Sequence, residues 1–208
     1  TGKEIPELLS RIEIDNIINE YKLRCTSCNG SFYESDRFNM MFKVEIGPSK
    51  EEAYLRPETC QTIFVDFPRI FKTMRGRLPL AVAQLGKSFR NEIAPRQSLF
   101  RLREFYQAEI EVFCNPNRLN ELPKFDQVKD TPLLLSIKNS SHSVNAEDAI
   151  RKGYLPNKLV AYYISLLSLF YSKTGINMER TRFRQLSGEE KAFYASTAFD
   201  FEVETSIG

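Results

Sequence analysis

Residues 99–113 read LFRLREFYQAEIEVF, and two chemistries alternate along them. In an extended chain successive side chains point to opposite sides. One side carries Arg101, Arg103, Phe105, Gln107, Glu109 and Glu111. The other carries Phe100, Leu102, Glu104, Tyr106, Ala108, Ile110 and Val112. Two guanidinium groups, a flat ring and two carboxylates in one row suit a surface that binds an anion, a heterocycle and an ammonium group. The preceding run, AVAQLGKSFRNE at 81–92, splits in a similar way, with Val82, Gln84, Gly86, Ser88, Arg90 and Glu92 on one side. An antiparallel hairpin is expected, joined by a long basic loop, IAPRQS, that bears Arg96. With Arg90 opposite Arg103, Glu92 faces Arg101 and Gln84 faces Glu109, so both polar rows share one surface. The same alternation is equally compatible with a cross-strand ladder of salt bridges that does no chemistry.

The elements that would position these residues follow from periodicity and turn signals. Apolar spacing predicts a helix over 4–22, followed by the tight turn CTSCNG. FNMMFKVEI at 38–46 reads as a strand ending at Gly47-Pro48. A short extended piece runs to Pro57. A helix is expected to begin there, with Pro57 at its first position and Glu58 and Thr59 in its first turn. The polar stretch 115–145, with Pro116, Pro123 and Pro132, reads as an irregular insertion holding one short strand at LLLSI. Helices are expected over 146–152 and 158–174, the second capped by Asn157. Its apolar run LVAYYISLLSLFY is too short for a bilayer, which needs about 20 residues, so no membrane partner is expected. MERTRFRQL and FDFEVETSIG read as strands, and 188–197 carries no clear signal. Strands and helices do not alternate one for one, which points to an α+β fold: an antiparallel or mixed sheet flanked by helices.

With 42% hydrophobic and 27% charged residues in 208, the composition is that of a globular protein. A net charge of +2 gives no broad field for a polyanion. Cys25, Cys28, Cys60 and Cys114 are not spaced as a disulfide framework, so reduced thiols and a cytoplasmic setting are expected. No secretory leader pattern is present. Cys25 and Cys28, followed by Asn29-Gly30, form half of a structural zinc knuckle, two ligands where a tetrahedral site needs four. Open alternatives are a metal-free turn and a site completed by ligands outside this sequence. His142, in the Ser-rich stretch, reads as an exposed loop residue. Both ends look cut, and a fragment is expected.

Phe89-Arg90-Asn91-Glu92, the loop, and Phe100-Arg101-Leu102-Arg103-Glu104-Phe105 together resemble motif 2 of the class II aminoacyl-tRNA synthetases. Further blocks resemble the glycyl-tRNA synthetases of the dimeric, archaeal and eukaryotic-like type. These are Phe38-Asn39-Met40-Met41-Phe42-Lys43, Ile46-Gly47-Pro48, Ala53-Tyr54-Leu55-Arg56-Pro57-Glu58-Thr59, Gln107-Ala108-Glu109-Ile110-Glu111 and Arg182-Phe183-Arg184-Gln185. They occur in the family's order and span 38–208. The division expected from this is a partial appendage with the CxxC turn over 1–37 and a partial catalytic domain over 38–208, with motif 2 at about 81–113 and an insertion at 115–145.

The resemblance implies ATP-dependent ligation of glycine to tRNA(Gly) through a glycyl-adenylate, on a class II-type antiparallel sheet flanked by helices. It implies that Arg90 is the catalytic residue, bridging the α-phosphate of ATP and the glycine carboxylate. Asn91 and Glu92 would lie in the ATP site, with the glutamate near the adenine amino group. Phe105 would stack on adenine, Arg101 would hold the distal phosphates, and the backbone at Phe100 and Leu102 would line the nucleotide. Glu58 and Glu109 would hold the glycine ammonium, with Gln107 beside them. ATP would come with Mg²⁺, and the full-length protein would be a homodimer. The sequence departs from the family pattern at Cys60 and Thr62, where Ala and Gly are usual. It also departs at Leu186, Phe193 and Phe199, in a region where the family often carries His and Trp. Motif 1 is not recognisable, and motif 3 is expected beyond Gly208. The rival expectation is a synthetase-like module that binds nucleotide or a partner without activating glycine. An ammonia-ligating synthetase on the same fold is the third.

Overall fold

A computed structural model describes residues 9–93, 95 and 101–206. Ser10 begins the first helix, α1 (Arg11–Glu20), with a reciprocal capping box. Its hydroxyl accepts from the Glu13 N–H at 3.4 Å, and the Glu13 carboxylate accepts from the Ser10 N–H at 2.8 Å. The chain then forms the cysteine turn and a hairpin of β1 (Lys43–Ile46) and β2 (Glu51–Tyr54). The expected strand over 38–46 is confined to its last four residues, and its partner β2 overlaps the start of the extended piece expected before Pro57. Gly47 and Lys50, both at positive φ, make the turn that pairs them.

Helix α2 runs Cys60–Thr73 with Pro68 inside it. It starts later than the Pro57 signal suggests, because residues 56–59 dock as an irregular segment against a strand instead of coiling. Thr59 is the N-cap residue, yet its side chain makes no capping bond. A Thr cap is worth about 1 kcal/mol, and here its hydroxyl is used elsewhere. The expected hairpin is present as β3 (Leu80–Phe89) and β4 (Glu104–Phe113). The Arg90 N–H donates to the Arg103 carbonyl at 3.0 Å, the pairing proposed from the two rows.

The chain divides into two compact units, Thr1–Gly76 with Ala81–Val112, and Arg77–Leu80 with Phe113–Gly208. The second unit holds a four-stranded mixed sheet in the order β6-β5-β7-β8. Its strands are β5 (Pro132–Ile137), β6 (Ser140–Asn145), β7 (Thr181–Gln185) and β8 (Phe199–Val203); β5 and β7 are parallel. Helices α3 (Ala146–Arg151) and α4 (Lys158–Ser172) flank it, capped by Asn145 and Asn157.

Here the expectation of an irregular 115–145 stretch with a single strand is corrected. Lys138 and Asn139, both at positive φ, close a two-residue hairpin between β5 and β6. Strand β6 reads SSHSVN and shows no apolar alternation, which hid it. His142 is a strand residue whose ring stacks on Tyr154, not a loop residue. Phe125, Val128, Leu133, Leu135, Ala149, Ala161, Ile164 and Phe183 bury one another in this unit. The architecture is α+β, as expected.

Candidate functional site

Strands β3 and β4 invert the usual exposure pattern. Their apolar faces are open, with Leu85 75%, Tyr106 72% and Ile110 68% exposed. Their polar faces are the covered ones, and Ser88 is fully buried. The cover is the segment Arg56–Thr59. Phe89 donates its N–H to the Arg56 carbonyl at 3.0 Å, and Arg90 Nε donates to the Pro57 carbonyl at 3.4 Å.

A connected hydrogen-bond network fixes the acidic end of the site. Gln107 Oε1 accepts from the Thr59 N–H at 3.2 Å and from Ser88 Oγ at 3.1 Å. Gln107 Nε2 donates to Glu109 Oε1 at 3.1 Å, and Thr59 Oγ1 donates to Glu109 Oε2. Both carboxylate oxygens of Glu109 are therefore held by neutral donors, which orient the group without cancelling its charge. Glu58 accepts from Nε2 of Gln61, the second residue of α2.

The electrostatics agree with an excess of negative charge. Burial, and then the Glu109 charge, push the Glu111 carboxyl above the usual carboxylate range. Burial, followed by the charges of Glu109 and Glu58, pushes the Cys60 thiol up, so it stays protonated. A cation brought into this region relieves like-charge repulsion.

The other end is cationic and flat. The Arg90 guanidinium stands 5.5 Å from the centre of the Phe105 ring. Asn91 is anchored through its N–H to the Met40 carbonyl at 2.7 Å. Arg103 Nε donates to the Glu92 carbonyl at 2.9 Å. The structure thus brings Arg90 to Phe105, and Gln107 and Glu109 to Thr59, the neighbour of Glu58. Arg101 and Leu102 are exposed beyond the strand end. Phe100 and Arg96 lie outside the described residues. Sequence reasoning places Gln84 opposite Glu109 and Thr59 beside Glu58 but assigns neither a part in the site, and it assigns none to Ser88 or Arg56. The even row of β3 already held Gln84 and Ser88, and that was the available signal.

The cysteine turn is closed by the Asn29 N–H on the Cys25 carbonyl at 2.8 Å and the Cys25 N–H on the Gly30 carbonyl at 3.0 Å. N–H groups of Cys28 and Ser27 hold the Cys25 thiol below its ordinary range. Among the described residues, no three His, Cys, Asp or Glu side chains converge to hold a metal ion, so the zinc expectation gains no further ligand. Also among them, no helix is long and apolar enough to cross a membrane.

Comparison with known proteins is consistent with the geometry. Residues 42–135 match the family described as tRNA synthetase class II core domain (G, H, P, S and T). The chain is 44% identical to the glycine–tRNA ligase of Pyrococcus furiosus, over 92% of this chain and 35% of that protein. It is 43% identical to the glycine–tRNA ligase of Thermococcus kodakarensis, over 95% of this chain and 36% of the relative. It is 41% identical to that of Archaeoglobus fulgidus, over 100% and 36%. The chain spans about a third of the length of these relatives. It belongs to the class II tRNA synthetases, in the family of its glycine–tRNA ligase relatives.

Proposed function

We propose that this chain is part of the catalytic core of an enzyme that joins glycine to tRNA(Gly) at the expense of ATP, through a glycyl-adenylate. The observation that carries the proposal is one covered strand face with a guanidinium that enters no ion pair among the described residues and stands over a ring at one end, and neutrally bonded carboxylates at the other. Phosphate anion, adenine heterocycle and ammonium are three of the groups that an aminoacyl-adenylate presents.

In the first step the glycine carboxylate attacks the α-phosphorus of ATP and pyrophosphate leaves. A carboxylate is ionised at neutral pH, so no side-chain base is required. The requirement is to hold two anions together, and a planar guanidinium can donate to both at once; we assign this to Arg90. Phe105 would receive adenine, with Asn91, Glu92 and the stretch from Phe100 to Leu102 around the nucleotide. Glu58, Gln107 and Glu109 would receive the ammonium. In the second step a terminal ribose hydroxyl of the tRNA takes the glycyl group from AMP.

Selecting glycine is a matter of leaving no room for a methyl group. Positioning the ammonium rigidly drives any side chain into the wall. Mg²⁺, when bound with ATP, neutralises phosphate charge; no protein ligand among the described residues is assigned to it. A homodimeric, cytoplasmic full-length enzyme fits the same proposal.

The test is isotope exchange between pyrophosphate and ATP in the full-length protein. The expected result is exchange that depends on glycine and is not supported by alanine. Nucleotide binding without any exchange would favour a non-catalytic module instead.

A further inference from the structure

Gly86 sits in the middle of β3, where a glycine weakens a strand and is normally avoided. Its φ is not in the left-handed region, so backbone freedom does not account for it. Space does. A Cβ built at residue 86 would lie 2.2 Å from Nη2 of Arg56 and 3.3 Å from its Cζ. Side chains at 84, 86 and 88 share one strand face, so the missing side chain opens a slot between Gln84 and Ser88. The Arg56 guanidinium fills that slot.

Its bonds tie two segments together. Arg56 Nε donates to the Lys87 carbonyl at 2.8 Å. In the amide orientation that satisfies both neighbours, Gln84 Oε1 accepts from Arg56 Nη1 at 3.0 Å, and Gln84 Nε2 donates to the Thr59 carbonyl at 3.1 Å. With Phe89 N–H on the Arg56 carbonyl, the segment is fixed to β3 from both sides. Thr59 at its end holds Glu109, and Glu58 lies between.

We propose that Arg56, seated over Gly86, is a positioning residue for the amino-acid pocket. It staples Pro57–Glu58–Thr59 to β3, and so fixes where Glu58 and Glu109 meet the substrate ammonium. The fork shape of a guanidinium is needed, because a single ammonium cannot reach the Lys87 carbonyl and the Gln84 amide together. The inference rests on the glycine-activating reading above.

The experiment measures KM for glycine and for ATP in pyrophosphate exchange by the full-length protein, with Arg56→Ala, Gly86→Ala and the double variant. Each single change is expected to raise the glycine KM by about tenfold or more and leave the ATP KM within about twofold. The double variant is expected to match Arg56→Ala alone, because the added methyl then displaces nothing. An unchanged glycine KM in Arg56→Ala, an equal rise in both KM values, or additive losses in the double variant would overturn the proposal. If Gly86→Ala does not fold, Arg56→Ala still decides. Absence of glycine-dependent exchange in the unaltered protein would instead overturn the functional reading itself, and this proposal with it.

Discussion

Two strand pairs in this chain set arginine among acidic residues, and β7–β8 uses those charges differently from the polar face of β3–β4; on the opposite face of β3–β4 Lys87 pairs with Glu104. Across β7 and β8, Arg184 bonds Glu202 at 2.6 Å and Glu190 at 2.8 Å and lies 3.5 Å from Asp200, while Arg182 bonds Glu202 at 2.6 Å. Every charge there has an opposite charge beside it. Across β3 and β4, among the described residues, neither Arg90 nor Glu109 enters an ion pair. Arg90 faces a carbonyl and a ring, and Glu109 is held by an amide and a hydroxyl. Charges satisfied by each other stabilise a sheet. Charges oriented by neutral groups keep their field for a ligand.

The largest expected effect comes from the second kind of charge. Arg90→Ala should lower glycine-dependent pyrophosphate exchange by about a thousandfold or more, while the denaturant midpoint barely moves. A large stability loss with activity retained would place Arg90 with the structural pair.

Glu109→Gln keeps shape and removes charge. It should raise the glycine dissociation constant by about a hundredfold and leave ATP binding close to unchanged, as calorimetry can measure. Equal weakening of both ligands would end the assignment of Glu109 to the ammonium.

Arg184→Met probes the first kind of charge. It should cost about 1 kcal/mol of stability, the upper end for partly exposed ion pairs, with the loss largest near neutral pH. Burial pushes the Glu202 carboxyl up, but bonds from Arg182 and Arg184 leave it below its usual range. A depressed folded pKa contributes stability above the ordinary glutamate range, and that stability is lost as pH falls through the folded value. The Met variant should therefore show a shallower acid transition in urea unfolding at several pH values.

The smallest effect is a pH dependence of glycine affinity. The folded Glu111 pKa is raised, so ionising it costs the ligand-free protein stability as pH rises through that value. An incoming ammonium favours the ionised form. Glycine affinity should therefore rise with pH through the range just above ordinary carboxylates, and Glu111→Gln should flatten the curve. An unaltered slope in the variant would separate Glu111 from the ammonium.

The contrast also explains what the sequence disclosed. Period-two alternation groups Phe105, Gln107 and Glu109 within one strand, and the antiparallel pairing of Arg90 with Arg103 adds Arg90 to them. It could not choose between ladder and ligand site, because both patterns alternate alike. What separates them is the docking of a distant segment. Arg56, Thr59 and Gly86 acquire their parts only when residues 56–59 lie on β3, and local patterning carries no trace of that. Asn157 was legible as a cap because capping is local. Strand β6 was not, since its serines and histidine are placed by pairing with β5.

A structure of the full-length protein with a non-hydrolysable glycyl-adenylate mimic bears most directly on the whole account. The expected complex has the adenine on Phe105, the phosphate mimic on Arg90 and the ammonium between Glu58 and Glu109. The mimic bound away from the polar face of β3 and β4, with Arg90 and Glu109 untouched, would contradict it.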